Sequence, residues 1–496
     1  MSVRMQSPGF NLQHIRHLRL WHLNSGISKM RKSQIVQSSS QSLPSPDGAY
    51  IAIILPSSLC IRETGSLNIT QEISIPSEIS VLWFLWSPSS SRILVGTKET
   101  LYIFSPTNSQ ALARIENLTS SSIKASFVTF SIDDDEILIF YDLGFKLSII
   151  NIITSESVDI AFIKLFGPAT ATKGFSFRPG TGNLTLLTRT GGKDIISLHS
   201  HGTQDVFRSW YPETIDTQGL SWSGDGKWLA IFESASLGFK LLIYTAGGNL
   251  YKKCQISAEI LDLDPLIELG LGIKLIEWTP SRKYIAIGDY SDRVTLLQMP
   301  QFTYFMSFSH KNILKIVGSC PIWQEQTNLQ GSGFKSEFTQ TVKGIYLPTP
   351  SSVNNVKTGV SLMSFDKSGS LLTVKMENHP TTIWIWDVMK PVPRAILVLH
   401  ATVSKILWHP KIDKQFMALC EGESAQGLVY IWNNSWLSPK IIDFASYFPD
   451  GRLIEKTISR WVHTKDLNSC LFFSDAQNCL LLWFQNTSES LNLCLE

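Results

Sequence analysis

Nine times along the chain an apolar run closes on an aromatic residue or proline, breaks into a turn of Ser, Thr, Pro, Asp or Gly, and resumes in Leu, Ile or Ala. The fullest copies read Pro44-Ser45-Pro46-Asp47-Gly48 before Tyr50-Ile51-Ala52, Trp222-Ser223-Gly224-Asp225-Gly226 before Trp228-Leu229-Ala230, and Phe365-Asp366-Lys367-Ser368-Gly369 before Leu371-Leu372. Trp86-Ser87-Pro88, Phe130-Ser131, Phe177-Arg178-Pro179, Trp278-Thr279-Pro280 and Trp408-His409-Pro410 open five more, and a degenerate ninth surrounds Trp461. Most lead on to a further run such as Thr382-Ile383-Trp384-Ile385-Trp386-Asp387 or Val429-Tyr430-Ile431-Trp432-Asn433. Runs of period two that are rich in β-branched and aromatic residues and bounded by turn residues predict strands. The anchors are 42 to 56 residues apart, apart from a step of 87 between Trp278 and Phe365.

A spacing of ~40–45 residues is that of a four-stranded propeller blade of the WD type. A sheet apolar on both faces cannot bury both alone, whereas blades stacked radially cover one another. The expected fold is therefore all-β, a WD-repeat β-propeller with about nine blade-like units. Either one large ring holds them, or a seven- or eight-bladed ring carries an incomplete unit, and the long step has room for a further blade. Trp86, Trp222, Trp278, Trp386, Asp387, Trp408 and Trp432 are read as structural blade positions.

Charged residues make up only 17% of the 496 and hydrophobic ones 43%, so the chain has material for a large core and is not disordered. Six bases and no acid precede Asp47, leaving 37 bases against 41 acids in the remainder. That body has no cationic field for nucleic acid or an anionic membrane. The seven cysteines are scattered without a C-x-x-C pair, so neither a disulfide framework nor a zinc site is written, and a reducing compartment fits. The apolar window from Ile137 to Phe166 contains Asp142, Lys146, Glu156, Asp159 and Lys164, which argues against a spanning helix.

Residues 1–29 carry no blade pattern and read as a basic extension, expected to be disordered, with the propeller running from 30 to 496. The long step holds a tract at about 318–358 read as an inserted surface loop, polar and Gly-bearing from Gln324 to Gln340. Loops projecting from a rigid repeat scaffold often carry binding, and a tolerated excursion without a role is the alternative. If the loop binds, Trp323 and Tyr346 are its candidate anchors.

No H-E-x-x-H, P-loop, G-x-S-x-G or complete G-x-G-x-x-G occurs, so no catalytic, metal or cofactor site is expected and the protein is read as a non-enzyme. The run Asp133-Asp134-Asp135-Glu136 sits where other units have their turn and is read as a solvated turn; His199-Ser200-His201 is read as an exposed one. Gly219-Leu220-Ser221-Trp222-Ser223-Gly224-Asp225-Gly226, Gly272-Ile273-Lys274-Leu275-Ile276-Glu277-Trp278-Thr279-Pro280, Ile287-Gly288-Asp289-Tyr290 and Thr382-Ile383-Trp384-Ile385-Trp386-Asp387-Val388, taken in order with the long step, resemble the spindle-pole and centriolar-satellite WD-repeat family (Wdr-eight or WRAP-type) from about Met30 to Trp483. The leader and the Ser-rich start at Ser38-Ser39-Ser40 depart from it. The resemblance implies a scaffold at spindle poles, spindle pole bodies or centrosomes, in the cytoplasm and cytoskeleton. It would anchor microtubule minus ends indirectly, through a coiled-coil anchoring protein and a minus-end-directed kinesin, without nucleic acid or membrane. The competing expectation is a large propeller of the translation-initiation type that binds ribosomal surface.

Overall fold

The computed structural model describes residues 30–75, 80–116, 118, 124–164, 174–254, 272–314, 320–330, 333–341, 343–347, 359–448, 456–463 and 469–484. Among these, strands form nine blades: blade 1 (42–74), 2 (83–115), 3 (125–161), 4 (175–210), 5 (217–254), 6 (273–309), 7 (360–398), 8 (402–443) and 9 (458–484). Blades 1 to 8 each contribute four consecutive antiparallel strands, and blade 9 contributes three, completed by Met30–Lys32 paired antiparallel to Leu482–Phe484. Helical geometry among the described residues is confined to short 3-10 turns. The blade pattern thus begins at Met30, and residues 1–29 lie outside the described residues.

One ring contains all nine. Each seam between successive blades holds its own apolar cluster, from blades 1 and 2 round to blades 8 and 9, and a ninth cluster joins blade 9 to blade 1. Alternation explains how one strand serves two seams. Ile51 and Ile53 face blade 9 while Ala52 and Ile54 face blade 2, so both faces are buried and the run reads as continuously apolar. Each buried Leu or Ile contributes ~1.5–3 kcal/mol of transfer free energy.

The first strand of each blade lies innermost, and neighbouring first strands approach one another, as do Ile273–Trp278 and Val360–Phe365. Tryptophans at their ends tie blade to blade. Trp86 Nε1 donates to the Leu43 carbonyl (3.0 Å), Trp222 to Thr185 Oγ1 (2.8 Å), Trp278 to Ser221 Oγ (3.1 Å), Trp408 to the Ser364 carbonyl (3.0 Å) and Trp461 to the Leu407 carbonyl (2.9 Å). Every one of these bonds reaches back to the preceding blade.

The recurring turn has an equally regular chemistry. A hydroxyl or carboxylate at its first position accepts from the backbone N–H five residues on: Ser45 from Tyr50, Ser87 from Arg92, Ser223 from Trp228, Thr279 from Tyr284 and Asp366 from Leu371. Ser223 Oγ in turn donates to Asp225 Oδ1 at 2.6 Å. Gly226 closes the turn at φ +66, and a Cβ there would lie 2.6 Å from the Pro179 carbonyl oxygen of blade 4. Serine, aspartate and glycine recur because the turn must cap itself and also fit beneath its neighbour.

The described residues of the 87-residue step form no tenth blade. The tract from Gln324 to Gln340, read as a polar loop, lies within a hairpin of Ile322–Gln330 and Gly333–Gln340, and Ile322–Gln324 pairs in parallel with Ile396–Val398 on the outer edge of blade 7. The polar composition reflects solvent exposure of the ribbon beyond Glu325, where Gln326, Thr327 and Asn328 are all exposed.

Gly226→Ala is expected to destabilise the protein by about 2 kcal/mol or more, combining a left-handed backbone with a clash against main chain. Gly224, two residues away, has open space around its Cα, and Gly224→Ala is expected to stay within about 0.5 kcal/mol. Denaturant midpoints of the two variants check this contrast.

Candidate functional site

Two places on the ring depart from simple blade packing, the outer rim at blade 7 and the channel wall at blade 6. At the rim, the inserted hairpin widens blade 7 to six strands and sets its far strand beside Lys440–Asp443 of blade 8. Glu325 fixes it there. Its carboxylate is buried, accepting from the Tyr430 hydroxyl at 3.1 Å and from the His400 backbone N–H at 2.9 Å. Burial, then the neighbouring Glu325 charge, raise the Tyr430 phenol well above its usual range. Phe338 meets the Tyr430 ring edge-on with centroids 6.1 Å apart.

Trp323 is not an exposed anchor. It is half-buried against the blade 7–8 core, because strand pairing turns its ring inward beside Phe338. Tyr346 is 65% exposed, in a short pairing of Ile345–Tyr346 with Ile313–Leu314. Glu325 escapes a sequence reading, since one acid in a polar tract has no signature. The signal that was available is the alternation of Trp323, Glu325 and Thr327 against Phe334 and Phe338 across Gly331-Ser332-Gly333.

Beside the insertion, at the seam of blades 6 and 7, lies a recess of about 680 Å3 bordered by Asn312, Leu314, Cys320, Ile322, Trp384 and Trp386. Trp386 stacks on Phe308 at 4.6 Å and donates through Nε1 to His310 Nε2 at 3.0 Å. With Nε2 accepting, His310 Nδ1 carries the proton and bonds the Asp292 carbonyl at 3.0 Å. Burial lowers His310 to about 4, so the ring is neutral when folded. Asp387, adjacent, accepts from the Met389 backbone N–H at 3.0 Å. Trp432 is buried and stacks on Phe416 at 5.6 Å.

The acidic run forms the expected turn, with the Asp133 side chain exposed, and it is also a stitch across three blades. Asp134 accepts from Ser89 and Ser91 of blade 2, Asp135 pairs with Arg92, and Asp133 lies 2.9 Å from His201 Nε2 of blade 4. Glu136 is buried and accepts from Gln204 Nε2 at 3.1 Å. His199 is buried as well, between Ser197 and the Gln204 carbonyl, which corrects its reading as an exposed turn. Among the described residues no group of three or more His, Cys, Asp or Glu side chains is placed to hold a metal ion.

The channel wall holds a cavity of about 290 Å3 between inner strands of blades 4 to 7, lined by Phe175, Leu220, Phe232, Leu275, Glu277 and Met363 among others. Glu277 lies on the inner strand Ile273–Trp278, and desolvation raises its carboxyl to about 7. Both places can bind; neither assembles a nucleophile with a base.

The ring, its tryptophan ties and its self-capped turns define a WD-repeat β-propeller protein of nine blades. No family model matches the chain. Over 411 residues, 78% of this chain and 83% of the relative, it is 25% identical to the WD repeat-containing protein WRAP73 of Mus musculus, so the WRAP-type resemblance drawn from the blade motifs extends along most of the chain. It is 20% identical over 414 residues to an uncharacterized WD repeat-containing protein of Schizosaccharomyces pombe, covering 80% of each. Among solved structures a eukaryotic initiation factor matches with a TM-score of 0.53 at 9% identity, over 83% of this chain and 90% of that one, a likeness of fold alone.

Trp386→Ala is expected to cost ~3–5 kcal/mol, removing a buried aromatic and leaving His310 Nε2 without its donor. Binding of any partner should fall only in proportion to folded protein, as read by thermal melts beside pull-downs. For Glu277 the native carboxyl binds its proton more tightly than the unfolded one. Its contribution is therefore full below about pH 4.3 and lost as pH rises through about 7. Glu277→Gln should then melt higher than the parent at pH 8, by up to about 3 kcal/mol, with the difference vanishing towards pH 4.

Proposed function

We propose that the protein is a non-enzymatic scaffold of the spindle pole or microtubule-organising centre. In this reading it helps to hold microtubule minus ends through a coiled-coil partner and a minus-end-directed kinesin. The observation that carries the reading is the similarity to WRAP73 along 78% of the chain. A rigid ring with two faces and a rim suits a protein that holds several partners at once.

The electrostatics favour indirect contact with microtubules. An acidic tubulin surface would be gripped by clustered Lys and Arg, whereas the chain after residue 46 has 37 bases against 41 acids. Several of those bases are already committed, including Lys164 and Arg189 to Asp194 and Asp216. The rim at blade 7, with Tyr346 exposed beside the recess, is the candidate partner contact. Likeness to an initiation factor in fold alone lends the ribosomal alternative no comparable support.

Purified protein is expected to pellet weakly with microtubules at any ionic strength and to pellet more strongly once a copurifying coiled-coil partner is added. Tagged protein in dividing cells should concentrate at the poles. Strong pelleting by the protein alone that salt abolishes would show direct lattice contact, and copurification with ribosomal subunits would replace the pole reading altogether.

A further inference from the structure

We infer that the channel wall formed by blades 5 to 7 is a docking site for a lysine side chain, presented between apolar neighbours on an extended segment of a partner protein. The site stands on its own geometry, whether or not the protein works at spindle poles.

The wall offers one uncompensated polar group. No described residue hydrogen-bonds or ion-pairs with Glu277, and desolvation alone shifts its carboxyl, without a neighbouring charge of either sign. The other polar side chains of the cavity are occupied. Ser221 Oγ receives the Trp278 indole N–H at 3.1 Å, and Ser361 Oγ donates to the Lys375 carbonyl at 3.2 Å. The remaining lining is apolar, with Leu220 and Phe232 from blade 5, Leu275 from blade 6, and Leu362 and Met363 from blade 7.

Charged groups on the surrounding elements are engaged elsewhere. The inner strands Thr217–Trp222 and Val360–Phe365, which flank Glu277 on either side, contain no Asp, Glu, Lys, Arg or His. On its own strand Lys274 pairs with Glu377 and lies over the Tyr290 ring, and on the second strand of blade 7 Lys375 donates to the Val403 carbonyl at 2.6 Å. Asp289, on the strand paired with that of Glu277, sits at the far end of the ladder, opposite Ile273, and holds Ser291.

A carboxylate half-buried among apolar groups and without a cation is costly in its charged form, and a cation from outside lowers that cost. An ammonium fits better than a guanidinium, because five fixed N–H donors would meet a single carboxylate and leave several unsatisfied. The stem of lysine is apolar and can lie against Leu220 and Leu275 while its head reaches Glu277. The lining continues over four inner strands, from Phe175 of blade 4 to Met363 of blade 7, farther than one stem covers. Apolar residues on either side of the lysine would fill that length, which points to a peptide segment over a free amine.

The test is calorimetric titration of the full-length protein with acetyl-Leu-Lys-Leu-amide, its Gln counterpart and n-pentylammonium, at pH 8 and pH 5.5. The lysine peptide is expected to bind at pH 8 about tenfold or more tightly than the glutamine peptide. That preference should fall about tenfold or more at pH 5.5, where Glu277 is protonated. Glu277→Gln should bind both peptides alike, while Glu277→Asp keeps a reduced preference. Equal affinities at pH 8, no binding at pH 8, or a lysine preference that survives in Glu277→Gln would overturn the proposal. Pentylammonium binding as tightly as the peptide would overturn the assignment to a protein segment. The pH series needs only the parent protein, so it decides the matter even if a variant fails to fold.

Discussion

Met30–Lys32 hydrogen-bonds along Leu482–Phe484, and Ile51, Ile53 and Leu67 of blade 1 pack on Val462, Phe472 and Leu481 of blade 9. Every other seam depends on this one, because a ring of sheets has two bare apolar faces until its first and last members meet. Nine blades is more than the ~4–8 that such rings usually hold. The inner strands must therefore be held in place around a broad channel, and the tryptophan bonds from one inner strand to the preceding blade do so at five of the nine seams. Where Phe130, Phe177 and Phe365 take the same position there is no indole N–H to donate, and side-chain bonds elsewhere supplement packing at the seam, such as Asp135 to Arg92, Glu136 to Gln204 and Trp386 to His310.

Charge supplements packing unevenly. Between blades 2 and 4 all four residues of the acidic run make interblade contacts, and between blades 3 and 5 Asp194, with its side chain wholly buried, gathers Lys164, Arg189 and the Thr217 backbone N–H. Between blades 7 and 8 the inserted hairpin performs that office through Glu325. A buried carboxylate satisfied by neutral donors and one satisfied by cations both secure a seam, whereas the half-buried Glu277, without a hydrogen-bond or ion-pair partner among the described residues, leaves chemistry to spare.

How much of this was legible in the residues follows from the kind of interaction. Strands, turns and the repeat could be read because alternation and turn chemistry are local, and Ser223, Asp225 and Gly226 announce their roles within four residues of chain. About nine units could be read from the spacing, but neither their exact number nor ring closure followed from it, since closure rests on contacts between residues 30 and 484, far apart in sequence. The hairpin at 322–340 carries a faint alternation about Gly331-Ser332-Gly333, but its parallel pairing to the edge of blade 7 leaves no pattern in the residues. Trp323 misled for the same reason: a tryptophan in a polar tract looks like an anchor until the strand register turns it inward. Glu277 was passed over as one letter of a blade motif, its isolation being a property of three blades at once.

The closing seam also governs how the molecule bears mechanical load. Cys60, Cys470 and Cys479 lie in or beside it, and burial pushes the last two thiols up to about 12, so they stay protonated and unreactive and no covalent latch forms there. A pull delivered through the chain before Met30 acts first on a three-residue strand and then on the two-residue pairing of Val36–Gln37 with Asn478 and Cys479, whereas a pull applied to two interior blades is resisted by whole apolar cores. The propeller is therefore anisotropic under tension. Load between interior blades is borne by whole apolar cores, whereas load entering at Met30 is borne first by the short pairing of Met30–Lys32 with Leu482–Phe484, so the point where a tether attaches decides which part of the ring carries it.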